Sequence, residues 1–142
     1  MVTLATKYFE DVQVDDKKFI YFEDGIPGFE GYYRYAIINP SDENDLCFLQ
    51  SIDEPEICFV MMYPALLVGE YNIEITDDIV RKLDINVPED VGVYSIMNLK
   101  EDLKDSTANL KAPVIINFKN QRAIQGILNN TNFSTTEKVF AK

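Results

Sequence analysis

Apolar and polar positions alternate in short runs along this chain, and turn residues interrupt them about every ten positions, a pattern that predicts antiparallel β-structure. Residues 2–9 and 12–14 read as the first strands. Residues 18–22 follow and end at the reversal Gly25-Ile26-Pro27-Gly28. Residues 32–38 are aromatic and β-branched and stop at Asn39-Pro40. Residues 46–52 and 57–63 form a hairpin turned by Asp53-Glu54-Pro55-Glu56. Both strands are apolar on both faces: Phe48, Ile52, Phe59 and Met61 share one, and Cys47, Leu49, Val60 and Met62 the other. Strands of that kind are expected at the centre of a fold, covered on both sides. A later hairpin pairs 114–118 with 123–128 across Lys119-Asn120-Gln121-Arg122.

One helix interrupts the β pattern. Thr76 is a good N-cap, Asp77 and Asp78 complement the helix dipole, and Ile79, Val80 and Leu83 form the apolar stripe. Pro88 stops any continuation, and residues 100–105 allow one further helical turn. A mainly β fold follows: a small antiparallel barrel or sandwich with one or two short helices, in one domain spanning 1–142.

The stretch from Phe22 to Glu30 is more specific than a turn requires. Pro27 sets φ near −65°, Gly28 is expected at positive φ, and Phe22 and Phe29 flank the reversal as apolar anchors. A second specific segment runs from Leu49-Gln50-Ser51-Ile52-Asp53-Glu54-Pro55-Glu56 through Phe59-Val60 to Pro64. The third is Thr107-Ala108-Asn109-Leu110-Lys111-Ala112-Pro113-Val114-Ile115-Ile116-Asn117, whose polar start reads as turn and cap hydrogen bonding before a strand.

In this order and spacing the three segments resemble the bacterial flagellar assembly factor FliW family. The resemblance extends from Tyr8-Phe9 to Phe133-Ser134. Phe133 departs from it, standing where a tyrosine is expected. The resemblance narrows the fold to a small β-barrel-like body with helical decorations. It implies a non-enzymatic regulator of flagellum biogenesis that binds flagellin and the translational repressor CsrA. Free of flagellin, such a protein holds the repressor and permits flagellin translation; accumulating flagellin releases it.

Charge sharpens that expectation. The net charge is −11, and its excess lies in residues 1–71, which hold 4 basic and 14 acidic side chains against 9 and 10 in residues 72–142. Nucleic acid is therefore excluded as a direct partner. A basic protein is a suitable one, and CsrA-type repressors bind RNA and must carry basic surface. The candidate partner-binding residues are Asp42, Glu43 and Asp45 before the central strand, Asp53, Glu54 and Glu56 after it, and Phe29. These two acidic loops are expected at opposite ends of that strand. Phe29, Tyr32, Tyr33 and Tyr35 cluster in sequence, and one or two of them could form an apolar anchor inside a charged rim.

No histidine is present, which removes the common catalytic triads and the commonest metal ligand. Asp42-Glu43-Asn44-Asp45 lacks the spacing and glycine of a calcium loop. No catalytic residue, cofactor or metal is expected. A turn at 53–56 would pair Ser51 with Cys58 and Cys47 with Met62, placing the two cysteines on one face but four positions apart, too far for a disulfide. No apolar run approaches a membrane span, and residues 1–11 lack a signal-peptide core, so a cytoplasmic protein, monomeric when free, is expected. Two other classes stay open: a carboxylate-dependent enzyme in a barrel mouth, and a structural β-module of a larger assembly.

Overall fold

The alternating runs close into a wall. The computed structural model describes residues 1–40, 45–68, 71, 73–128 and 132–139. Strands β1 (Val2–Leu4) and β2 (Val12–Val14) form a small antiparallel hairpin of their own. Seven strands then make a closed barrel: β3 (Ile20–Phe22), β4 (Arg34–Ile38), β5 (Leu46–Ser51), β6 (Cys58–Met62), β7 (Val91–Asn98), β9 (Val114–Asn117) and β10 (Arg122–Gln125). Neighbours pair in the order β7-β6-β5-β4-β3-β10-β9, and β9 returns to β7. All these pairings are antiparallel except β3 with β10. Strands β8 (Thr107–Ala108) and β11 (Glu137–Lys138) extend the sheet from the far end of β7.

Side chains that register opposite one another point to one side, so the ladder identifies the interior. Ile20, Phe22, Tyr35, Cys47, Leu49, Met61, Tyr94, Val114, Ile116 and Ala123 fill the barrel, joined by Ile26 from the loop after β3. Three smaller clusters cover the outside. The β1–β2 hairpin and Phe19 pack on Ala36. Leu67, Leu110, Phe133 and Val139 pack around Phe48, Val60 and Met62. Helix α1 (Asp77–Leu83) sets Ile79 and Leu83 on Ile115. The central hairpin is thus covered on both faces, as its double-sided apolar pattern requires.

Helix α1 forms where its sequence predicts. The Thr76 hydroxyl accepts from the Ile79 N–H at 3.3 Å, and Asp77 and Asp78 occupy the first turn. It ends at Leu83, before Pro88, because Asp84 turns left-handed at φ 52°. Its exposed carbonyls are met by the barrel: the Asn117 amide donates to Leu83 O (2.8 Å) and Asp84 O (3.2 Å), and the Asn120 amide to Leu83 O (2.9 Å). Residues 100–105 contain a single 3-10 turn, Leu103–Asp105.

Several boundaries differ from the sequence pattern. The first strand stops at Leu4. The Thr6 hydroxyl accepts from Phe9 N–H (3.0 Å) and donates to Phe9 O (2.6 Å), folding this segment into a turn. The β5–β6 register is shifted by one. The Ser51 hydroxyl accepts from the N–H groups of Asp53 and Glu54 (3.2 and 3.1 Å), and Ile52 N–H leaves the hairpin for Arg34 O. Ser51 thereby faces Ile57, and Cys47 pairs with Met61.

That shift exchanges the faces of β6. Phe59 and Met61 join Cys47 and Leu49 on the inner side, whereas Val60 and Met62 join Phe48 outside. Cys58 pairs with Gln50, so the cysteines are three positions apart, ~10 Å along the strands, and on opposite faces. Both thiols are free. The later hairpin pairs Asn117 with Arg122, putting Arg122 in β10 and Phe118 in the turn. Strand β7, the longest, is absent from the pattern-based reading.

Two predictions follow from the backbone and the thiols. Gly25 and Gly28 sit at φ 71° and 88°. A Cβ on Gly28 meets nothing within 4 Å, whereas one on Gly25 would stand 3.0 Å from Glu30 Cα. Gly28→Ala is expected to cost about 1 kcal/mol from the dihedral alone, and Gly25→Ala more; urea midpoints test the ranking. Burial pushes both cysteine thiols up to about 11. At pH 8 both should react slowly with a disulfide reagent, faster as pH rises toward 11, and oxidation should yield no intramolecular disulfide by mass spectrometry.

Candidate functional site

The loop after β3 and the turn after β5 meet at one end of the barrel. Phe29 meets Phe59 edge-on at 5.1 Å, Phe59 lies 6.2 Å from Tyr35, and Tyr35 meets Phe22 edge-on at 5.2 Å. This chain of rings plugs the mouth. The loop is fixed by Gly25 N–H to Phe22 O (2.9 Å) and Phe29 N–H to Ile26 O (2.7 Å). Its buried anchors are Phe22 and Ile26, at 0% and 1% exposure. Phe29, expected as an anchor, is 38% exposed and presents part of its ring to solvent. The reason is local: Ile26 precedes Pro27 and turns inward, leaving Phe29 on the outer lip.

The acidic turn beside it is held with equal care. Gln50 is fully buried; its Oε1 accepts from Lys7 N–H (3.1 Å), and its Nε2 donates to Pro55 O (3.0 Å) and Ile57 O (3.2 Å). One side chain thereby ties the N-terminal segment to the β5–β6 turn. Arg34 on β4 pairs with Asp53 through both Nη2 and Nε, the latter at 3.3 Å. The hydrogen bond from Arg34 holds the Asp53 carboxyl below the usual carboxylate range, against a smaller opposing effect of burial. The Glu54 carboxylate accepts from Glu56 N–H at 3.2 Å, and Glu56 is exposed.

Of the expected residues, Phe29, Asp53, Glu54 and Glu56 share this end. Asp45 is exposed at the other end of β5, the length of the strand away from Asp53, Glu54 and Glu56. Asp42 and Glu43 lie outside the described residues. Among the aromatics that cluster in sequence, Tyr35 is buried, with its hydroxyl unpartnered and pushed up to about 12 by burial. Tyr33 is 48% exposed.

Sequence reasoning missed Tyr21 and Arg122. They sit opposite each other on β3 and β10, and with Glu23 and Tyr33 they line an open groove of about 400 Å³. Alternation alone could have found Tyr21, since its neighbours Ile20 and Phe22 are both interior. Arg122 was hidden because the pattern placed it in a turn.

The Thr107-Ala108-Asn109 group is structural. Asn109 Oδ1 accepts from the N–H groups of Lys111 and Ala112 (3.1 and 3.0 Å). Phe133 packs on Tyr71 at 4.6 Å, and it is the Tyr71 hydroxyl that donates to Leu110 O, at 2.6 Å. Among the described residues no three acidic or cysteine side chains converge as a metal site would need, and no helix is long and apolar enough to cross a membrane.

The Arg34–Asp53 pair generates a pH prediction. A carboxyl depressed in the folded state adds stability above its ordinary pKa and loses it as pH falls through the lowered value. Asp53→Asn should flatten that acid limb in urea midpoints, by less than about 1 kcal/mol because both groups are largely exposed. Arg34→Gln should move the Asp53 carboxyl titration upward by NMR.

Comparison with known proteins agrees with this architecture. The family model described as FliW protein matches residues 3–139. A flagellar assembly factor FliW from Alkaliphilus metalliredigens is 38% identical over 93% of this chain and 82% of its own length. One from Geobacillus sp. strain WCH70 is 36% identical over 96% of this chain and 94% of its own. The crystal structure of a flagellar assembly factor FliW superposes with a TM-score of 0.89 at 34% identity, covering 96% of each chain. With a matching family model, relatives similar over nearly their whole length and a shared fold, the chain belongs to the FliW family.

Proposed function

We propose that the protein acts in flagellum assembly as a non-enzymatic binding factor. Its partners are flagellin and a CsrA-type basic repressor, and it couples the level of the first to translation through the second. Family membership supports the assembly role, since its relatives carry the name flagellar assembly factor. The single observation that carries the binding reading is the plugged barrel end. Phe29 and Tyr33 offer partly exposed aromatic surface beside the acidic turn that holds Glu54 and Glu56. An aromatic anchor within a charged rim is the usual composition of a protein-binding patch.

The same plug argues against the enzyme alternative. A carboxylate enzyme in a barrel mouth needs an open mouth, and here Phe29, Phe59 and Tyr35 occupy it. Rim carboxylates act at range: they speed the encounter with a basic partner and lose effect as salt shortens the screening length to about 8 Å.

Stopped-flow association with purified CsrA-type repressor and with flagellin tests the reading. Glu54→Gln/Glu56→Gln and Asp42→Asn/Glu43→Gln/Asp45→Asn are compared across ionic strength, and Phe29→Ser is compared for dissociation. The loop at the contact should slow association at low salt and flatten its salt slope, with the denaturation midpoint unchanged. Phe29→Ser should speed dissociation about tenfold or more, the loss expected of a central aromatic anchor. If Glu54→Gln/Glu56→Gln alters neither association rate nor salt slope and Phe29→Ser leaves dissociation unchanged, this end is not the contact. A fixed-stoichiometry scaffold with no exchange between partners would instead favour the structural-module reading.

A further inference from the structure

Helix α1 covers only part of the sheet behind it. Outward side chains of β9 and β10 lie beneath it: Ile115 is fully buried, and Ile124 packs into the same cluster. The next strand is treated differently. Val93 on β7 registers opposite Ile115 and also points outward, yet it and Val91 are only half-buried. They form the floor of an open apolar groove of about 400 Å³ beside the helix, walled by Ile75, Val80, Ile85 and Val87. Val87 is 43% exposed.

Four carboxylates adjoin the lining residues along the chain. Glu74 precedes Ile75, Asp84 precedes Ile85, and Glu89 and Asp90 lie between Pro88 and Val91. None of these four carboxylates takes part in an ion pair among the described residues. The two basic side chains of α1 are engaged elsewhere, Arg81 near Asp78 at 3.9 Å and Lys82 with Asp24 at 3.4 Å. This local excess of negative charge stands in the half of the chain that is nearly neutral overall.

We infer that the α1–β7 groove is a docking site for a basic amphipathic helix of a partner protein. Three observations choose that occupant. Apart from Asn86 the lining is apolar, so the occupant must bring an apolar stripe. The unneutralised carboxylates adjoining the lining residues select Lys and Arg on its flanks. The geometry selects a helix, because a helix beside α1 extends the same helix-on-sheet layer across β7, whose outward valines are left partly bare. The site is separate from the plugged barrel end: its floor includes Val91 at the start of β7, whereas Phe29 stands over Phe59 near the start of β6.

The test uses the full chain, isotope-labelled, titrated by NMR with a synthetic helical peptide. The probe carries Leu at i, i+4 and i+7 and Lys on its flanks. Two controls are a scrambled peptide of the same composition and one with Glu in place of Lys. The amphipathic Lys peptide should bind, shifting signals of residues 75–93 and leaving those around Phe29 unmoved. Val87→Asp, at a 43% exposed position, should keep the denaturation midpoint and weaken binding at least tenfold; Asp84→Asn/Glu89→Gln should weaken it severalfold and flatten its salt dependence.

Equal binding of the scrambled peptide, shifts outside the groove, no binding, or an unaffected Val87→Asp variant would overturn the inference. So would concentration-dependent self-association that Val87→Asp abolishes, since the occupant would then be a second copy of this chain. The barrel-end substitutions Phe29→Ser and Glu54→Gln/Glu56→Gln should leave this peptide's affinity unchanged, which separates this result from the fate of the reading above.

Discussion

Closure of the barrel is the constraint from which the rest follows. It depends on a short parallel pairing, Tyr21 with Arg122 and Phe22 with Ala123, that joins segments about a hundred positions apart. A parallel pair cannot be made by a hairpin, so the intervening chain must first complete the wall. Gln121 locks the join. Standing at φ 65°, it receives Tyr21 N–H on its carbonyl and sends its side-chain amide to Lys18 O at 2.9 Å. Without that seam β3 and β10 would be free edges, open to pairing with another chain.

Once the wall is closed, every strand has an inside and an outside, and the exterior surfaces take separate roles. The hairpin β1–β2, the β8–β11 extension and helix α1 each bury a different outer patch. The barrel ends are sealed by rings, Phe29-Phe59-Tyr35-Phe22 at one and Tyr63-Tyr94-Phe118 at the other. Phe118 approaches Gly92 so closely that a Cβ there would stand 2.5 Å from its ring. The glycine that weakens β7 as a strand in sequence is the one that admits this ring.

That example shows which parts of the fold were legible and which were not. Helix α1 could be read because its cap, dipole charges and stripe are all local. The central hairpin was recognisable from its apolar density, but its register was not. The Ser51 hydroxyl and the Arg34 carbonyl decide it, and one of these lies on another strand. Strand β7 escaped because Gly92 and Ser95 interrupt its apolar run, and the glycine is explained only by the ring that folds over it. The acidic loops and Phe29 were visible as residue types, whereas Tyr21, Arg122 and the α1–β7 groove are products of tertiary neighbours. FliW membership was carried by three segments in order, a signal independent of whether each strand was correctly bounded.

The filled interior has a consequence for how two partners could influence one another. Interlocking rings and aliphatic side chains pack the interior of the barrel. Under the two-partner reading proposed above, overlap of the bound molecules, or one cancelling the field that attracts the next, would produce competition without any rearrangement of this packed interior. A device of that kind would respond to ionic strength and to the size of the bound partner.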